Sequence, residues 1–267
     1  MDTMSRREFM QVGATTAAAT AVTPLLASDD AVPGTLPFAV VFEVQTTAET
    51  HEAYLETARK LRPMLDTIPG FLSIERSSSL LKDNCLLSLS YWADEAALVQ
   101  WRSTGEHHAA QQAGRDGIFA DYRLRVGPVL FENIKSDGMP NEPSSRYNRP
   151  PFHSRHYMSL AKVDDVRDPK EFEDWFAKFA TGDSIPELHG YRSLSNPGRY
   201  YLTLSSTGWA DVIRHRDHFR QRWADNHGAN VASFQIIEVE RDYGMEVREQ
   251  APQFFRTPER GDKRRSS

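Results

Sequence analysis

The side chains of this sequence best suited to chemistry cluster between Trp92 and Tyr122. His107 and His108 take consecutive positions of a helical stretch, about 100° apart around its axis, so at most one of the two rings points into a given pocket. A histidine so placed can act as general base, as a substrate's hydrogen-bond partner or as an iron ligand. Trp92 and Trp101 are candidates for an aromatic pocket wall that stacks on a flat molecule. Arg115 can clamp an anion, and Tyr122 offers a phenol as donor or acceptor. In the second half, His215 and His218 stand three apart on one helix face, a spacing that can serve a metal. The surrounding run from Arg214 to Arg222 is polar enough for a solvated face, or for a basic one that attracts a carboxylate-bearing ligand. No further His or Glu completes a ligand set there, and no metal is expected. Gly-rich phosphate loops, nucleophile elbows and Ser/His/Asp arrangements are absent from the sequence, which removes hydrolase and nucleotide-dependent readings.

The elements that must position these residues can be read from periodicity. Phe38 to Gln45 is a β-rich run, and Thr46 or Thr47 can cap a helix bearing Tyr54, Leu55, Ala58, Leu61 and Leu65 at helical spacing. Pro69-Gly70 stops that helix, Phe71 to Ser77 alternates as a strand, Lys82-Asp83-Asn84 turns, and Cys85 to Trp92 returns. Asp94 caps a second helix, interrupted near Gly105 and resumed through Arg115, before a strand from Tyr122 to Leu130. The order is β-α-β-β-α-β, a ferredoxin-like split.

The same order recurs from His156. A strand to Val163 is followed by a helix opened by Asp168-Pro169 and carrying Phe172, Trp175, Phe176 and Phe179. A hairpin turns at Asn196-Pro197-Gly198. A helix from Trp209 and a strand from Phe234 to Arg241 complete the unit. Pro69-Gly70-Phe71 parallels His189-Gly190-Tyr191, and Leu87-Ser88-Leu89-Ser90 parallels Leu202-Thr203-Leu204-Ser205. An internal duplication is the expectation.

Composition bounds the rest. The chain has 267 residues, of which 39% are hydrophobic and 26% charged, with a formal net charge of -5. This is a globular balance with no multi-span membrane segment and no basic patch for nucleic acid, so neither a membrane span in the mature protein nor a nucleic-acid partner is expected. Cys85 is the single cysteine and rules out an intramolecular disulfide. Residues 1–31 have the layout of a signal peptide, with Arg6-Arg7 before Glu8-Phe9-Met10 and an Ala/Thr-rich run, similar to a twin-arginine export signal. Export to the periplasm or outside the cell is expected. The expected division is residues 1–31 as address, 36–131 as first unit, 132–154 as linker, 155–243 as second unit and 244–267 as disordered tail.

Ser90-Tyr91-Trp92, Trp101, Glu106-His107 with Ala110-Gln111, Gly114-Arg115, Phe119 and Tyr122-Arg123 give the stretch from Leu89 to Val129 its character. It resembles the antibiotic biosynthesis monooxygenase family, dimeric α/β barrels that also include small haem-degrading monooxygenases. The resemblance implies an α+β fold in which two four-stranded sheets pair face to face into a barrel. That barrel would be built here within one chain from tandem units, or with a homodimeric partner.

It also implies oxidation of a hydrophobic aromatic or polycyclic small molecule by O2, without a bound cofactor. His107 would be the base, Trp101 the stacking wall, and Arg115 with Tyr122 donors to the developing anion. Trp92, His108 and Phe119 would be substrate contacts. Haem-degrading relatives carry an Asn, a Trp and an iron-binding His ten residues after the Trp. Here Gln111 takes that place and the first strand has no Asn, which leaves haem as an alternative cofactor through His107. The remaining alternative is a non-catalytic barrel that only binds a small ligand.

Overall fold

In the computed structural model, residues 36–132, 156–182, 187–224 and 231–252 are described. The expected signal peptide, most of the linker, the basic end of the tail and the side chain of His218 lie outside them.

The first half runs β1 (Phe38–Thr46), α1 (His51–Leu65), β2 (Phe71–Ser79), β3 (Cys85–Trp92), α2 (Glu95–Arg102), α3 (Gly105–Ala113), a wider helical turn over Gly114–Ile118 and β4 (Phe119–Glu132). The second runs β5 (His156–Val163), α4 (Pro169–Gly182), β6 (Leu188–Ser193), β7 (Tyr200–Ser206), α5 (Trp209–Ala224) and β8 (Val231–Val239), followed by a short β9 (Arg241–Gly244). The order of strands and helices therefore repeats, as periodicity predicts.

Local signals explain most boundaries. Asp94 accepts a hydrogen bond from the Ala97 amide at 2.8 Å and starts α2, and Asp168 accepts from Glu171 at 3.0 Å at the head of α4. The cap expected at Thr46 or Thr47 falls elsewhere. α1 begins after Thr50, while the Thr46 hydroxyl lies 3.0 Å from Nδ1 of His51 and donates to the Asn84 carbonyl. Thr46 thus ties the strand end to the β2–β3 turn.

Antiparallel pairing runs β1-β3-β2-β6-β7-β5-β8-β4, and β4 pairs back with β1, so eight strands close into a barrel with β9 as a spur on β4. The halves meet at two seams. Ser77–Ser79 of β2 face Tyr191–Ser193 of β6, and the end of β4 from Val129 faces Gln235–Ile237 of β8. At the second seam a Cβ on Gly127 would stand 1.6 Å from the Glu238 carbonyl, so only glycine lets β4 pass β8 so closely.

Strand alternation sends one face of each strand inward. Ala39, Val41, Leu87 and Leu89 of the first half meet Met158, Leu160, Tyr201 and Ile237 of the second in one buried cluster, so the barrel interior is a core that neither half owns. Its two carboxylates are paired, in part across the halves. Glu43 accepts from Arg125 and Tyr191, while Glu75 accepts from Ser193, from Tyr201 at 2.6 Å and from Arg199 at 3.2 Å.

The opposite strand faces carry helices, and here the halves differ. α4 packs Phe172, Phe176 and Phe179 against Tyr157, Tyr200 and Trp209 in a filled aromatic core. At the fourth, eighth and eleventh positions of its own helix, α1 presents Tyr54, Ala58 and Leu61 instead. Where α4 has the ring of Phe176, α1 has the methyl of Ala58, and a cavity opens beneath it.

The segment expected to begin a disordered tail is ordered up to residue 252. Met245 N–H bonds to the Tyr122 carbonyl at 3.2 Å, Gln250 accepts from the Asp242 amide at 2.8 Å, and Ala251 is buried. After the second half, the chain thus returns to the first. The edge of β4 provides backbone and side-chain partners that local composition does not reveal.

Candidate active site

The cavity lies between the first half's sheet and its helices and encloses about 180 Å³. Its floor is built by alternation: Val40 and Phe42 of β1, Ile74 and Arg76 of β2, Ser88, Ser90 and Trp92 of β3, and Tyr122 and Leu124 of β4 all line it. Its roof is built by helical spacing, since His107, Ala110 and Gln111 project from one face of α3 toward the same space.

An aromatic wall runs along one side. The His107 ring lies 4.5 Å from the Trp101 ring with 16° between planes, and Trp101 lies 6.5 Å from Trp92 at 24°. Trp92 Nε1 donates to Ser90 at 3.0 Å, which fixes that indole, and the Thr104 hydroxyl donates to the Trp101 backbone carbonyl at 2.9 Å where α2 ends. Phe119 forms the far wall, 5.7 Å from Phe42 and 5.9 Å from Tyr122 in edge contacts. A Cβ on Gly114 would stand 2.3 Å from the Phe119 ring, which is why the residue beneath that ring is glycine.

Three polar atoms here are buried and have no partner: His107 Nδ1, Gln111 Oε1 and Arg76 Nε. Buried polar atoms normally find partners, so such a group around one cavity is a place for a ligand's polar atoms. Burial pushes His107 down to about 4; the Trp101 backbone opposes this, and nearby His108 and Arg102 reinforce it. His107 is therefore a neutral imidazole at pH 7. Tyr54, fully enclosed, is pushed up by burial, with Arg76 and Ser88 acting in the opposite direction.

Of the sequence candidates, Trp92, Trp101, His107, Arg115, Phe119 and Tyr122 are brought together around the cavity. His108 is not: it stands exposed on the solvent side of α3, turned from the cavity by the rotation between successive helical residues. Arg115 lines the cavity while donating to Gln112 at 3.0 Å. Tyr122 accepts a hydrogen bond from Arg248. His215 sits in the second half, its Nδ1 3.0 Å from the Ser206 hydroxyl and apart from the cavity, and among the described residues no group of three potential metal-ligating side chains forms.

Sequence reasoning missed Tyr54, Arg76, Arg102, Gln111, Tyr243 and Arg248. Ile74 and Arg76 share one face of β2, so strand alternation was an available signal for Arg76. Tyr243 and Arg248 reach the cavity only because the tail folds back, for which the sequence offers no local sign.

Residues 37–113 match the family described as antibiotic biosynthesis monooxygenase. The protein named jasmonate monooxygenase ABM from Pyricularia oryzae is 49% identical over 92 residues, covering 34% of this chain and 43% of that protein. The chain thus spans less than half of this fungal relative. The uncharacterized protein YqjZ of Bacillus subtilis is 34% identical over 104 residues, covering 38% of this chain and 89% of its own length. A solved conserved protein from Methanosarcina mazei Go1 shares 16% identity at a TM-score of 0.32, covering 34% of this chain and 90% of that one, a likeness too distant to bear on function. With its first half matched to the family and nearly the whole bacterial relative covered, the chain belongs to the antibiotic biosynthesis monooxygenase family.

Proposed function

We propose that the chain oxygenates a small apolar molecule with O2 in the cavity of its first half, without a bound cofactor. The observation that carries this is the cavity itself: aromatic walls around the neutral His107, whose Nδ1 has no partner, in the part of the chain that matches the family. The name of the fungal relative supports a small apolar molecule as the class of substrate.

A substrate CH2 beside an enolisable or phenolic group would lose a proton and form an anion. O2 is then fully reduced by the substrate's own electrons: one oxygen atom becomes the new carbonyl and the other leaves as water. His107, with its free Nδ1, would accept the proton, and the anion formed beside it would stabilise an imidazolium that burial otherwise disfavours. Arg76, Arg115 and Tyr122 donate to that anion, while the walls exclude water.

Volume narrows the substrate. An apolar cavity of about 150 Å³ takes a benzene, so about 180 Å³ suits one ring or a compact pair rather than an extended polycycle. Drug-sized ligands occupy pockets of roughly 300–1,000 Å³, so the volume favours a molecule smaller than a haem.

We read the two halves as a duplicated unit that builds the barrel within one chain, with the first half bearing the site. Residues 1–31 are read as a twin-arginine-type address, so the mature chain acts outside the cytoplasm; replacing Arg6 and Arg7 by Lys should hold it inside cells on fractionation.

The test is oxygen uptake with a panel of quinols and phenols of one to three rings. Turnover is expected with the smaller members and is abolished in His107→Ala; an unaltered rate in that variant removes the assigned base. A binding protein without turnover is the second reading, favoured by the weak basicity of His107. Its signature is a ligand-dependent rise in melting temperature with no oxygen uptake.

A further inference from the structure

The cavity is lined by Arg76, Arg102, Arg115 and Arg248, and among the described residues no aspartate or glutamate lines it. Guanidiniums gathered around apolar walls repel one another unless an anion joins them. Their neighbours do not supply it. Arg241, close by, is paired with Glu95 at 2.6 Å, but among the described residues no carboxylate pairs with Arg102 or Arg248.

Arg248 differs from the other three in origin. It comes from the chain after the second half, held over the first by a turn in which the Gly244 amide bonds to the Val247 carbonyl at 2.8 Å. The Met245 amide bonds to the Tyr122 carbonyl, and Arg248 Nη1 donates to the Tyr122 hydroxyl. Tyr243, from β9, lines the cavity beside it. One N–H of Arg248 is thus spent on positioning, and the rest of its planar fork is available for a carboxylate.

We propose that the segment after the second half completes the first half's site: Arg248, with Arg102 nearby, holds the carboxylate of a small apolar acid whose ring fills the cavity. This rests on the reading of the cavity as the substrate site and names the substrate class. It also gives the second half a role in specificity, since β8 leads directly into β9 and Arg248.

The experiment is calorimetric titration of the full chain with phenylacetate and with its neutral isostere phenylacetamide, in the absence of turnover. The acid is expected to bind about tenfold more tightly than the amide at low salt, the effect of one charge-assisted hydrogen-bond pair. That preference should shrink as salt is raised. Arg248→Gln is expected to lower the acid's affinity about tenfold while leaving the amide within about twofold. Arg248→Lys keeps the charge but not the fork, and is expected to lose about threefold for the acid, so the proposal stays testable if the glutamine variant fails to fold. Equal affinities in the unsubstituted chain, binding of neither probe, or a preference that survives both substitutions would overturn it. Acid-selective binding in a chain that takes up no oxygen supports this assignment and removes only the oxygenation. Oxygen uptake with neutral substrates and no acid preference does the reverse.

Discussion

The imidazole of His107 lies face to face with the indole of Trp101, 4.5 Å between ring centres and 16° between planes, while its Nδ1 has no partner. The stack covers the ring from one side, and burial as a whole lowers its basicity. A ligand entering the cavity therefore meets a neutral ring nitrogen with no protein partner.

This makes stability depend on pH with a definite sign. The unfolded chain protonates His107 near its ordinary value of 6.5, whereas the folded chain does so only near about 4. Between those values the unfolded state binds more protons, so stability is intact above about pH 6.5 and is lost as pH falls toward 4. The expected loss is about 3 kcal/mol. Urea unfolding of the unsubstituted chain and of His107→Gln at pH 7 and pH 4.5 checks this; equal pH slopes in the two proteins would exclude His107 as the source.

Filling the cavity should separate binding from folding. Ala58→Phe copies into α1 the ring that α4 carries at Phe176. It should abolish ligand-dependent thermal shifts and oxygen uptake at an overpacking cost of about 1–3 kcal/mol. Retention of ligand binding by a folded Ala58→Phe chain would mean that the cavity is not the site.

The ion pair inside the barrel should be costlier to cut than one on the surface. Arg125 is 2% exposed at its side chain and Glu43 13%, and they pair inside the barrel, where Tyr191 of the second half also donates to Glu43. Arg125→Met leaves a buried carboxylate without its cation and should destabilise the fold by about 3–5 kcal/mol. Arg59→Met, at an ion pair exposed on both sides, serves as the control with little change. Similar unfolding midpoints for the two variants would show that the buried pair contributes no more than a surface one.

How much of this was legible in the sequence depends on the range of the forces involved. Element order, the break near Gly105 and the cap at Asp94 follow from spacing and local hydrogen bonds, and all are present in the fold. His107 and Trp101 could be singled out individually because they lie close in sequence on consecutive helices. The i, i+3, i+4 face of α3 then places Gln111 and Ala110 beside His107.

Residue types and their periodicity determined two units with the same succession of strands and helices, and a set of aromatic, histidine and arginine side chains near the end of the first. Only the tertiary structure decided that the sheets close into one barrel with a shared core, that His108 faces solvent, and that Tyr243 and Arg248 return to cap the cavity. The physical reason is that local pattern sets which face of an element is apolar, whereas seam pairing, cavity volume and tail docking depend on which surfaces remain uncovered after the elements pack. Ala58 and Phe176 show the division. Each is a buried residue on an amphipathic helix, and it is the ring missing from Ala58 that leaves one half hollow and the other filled.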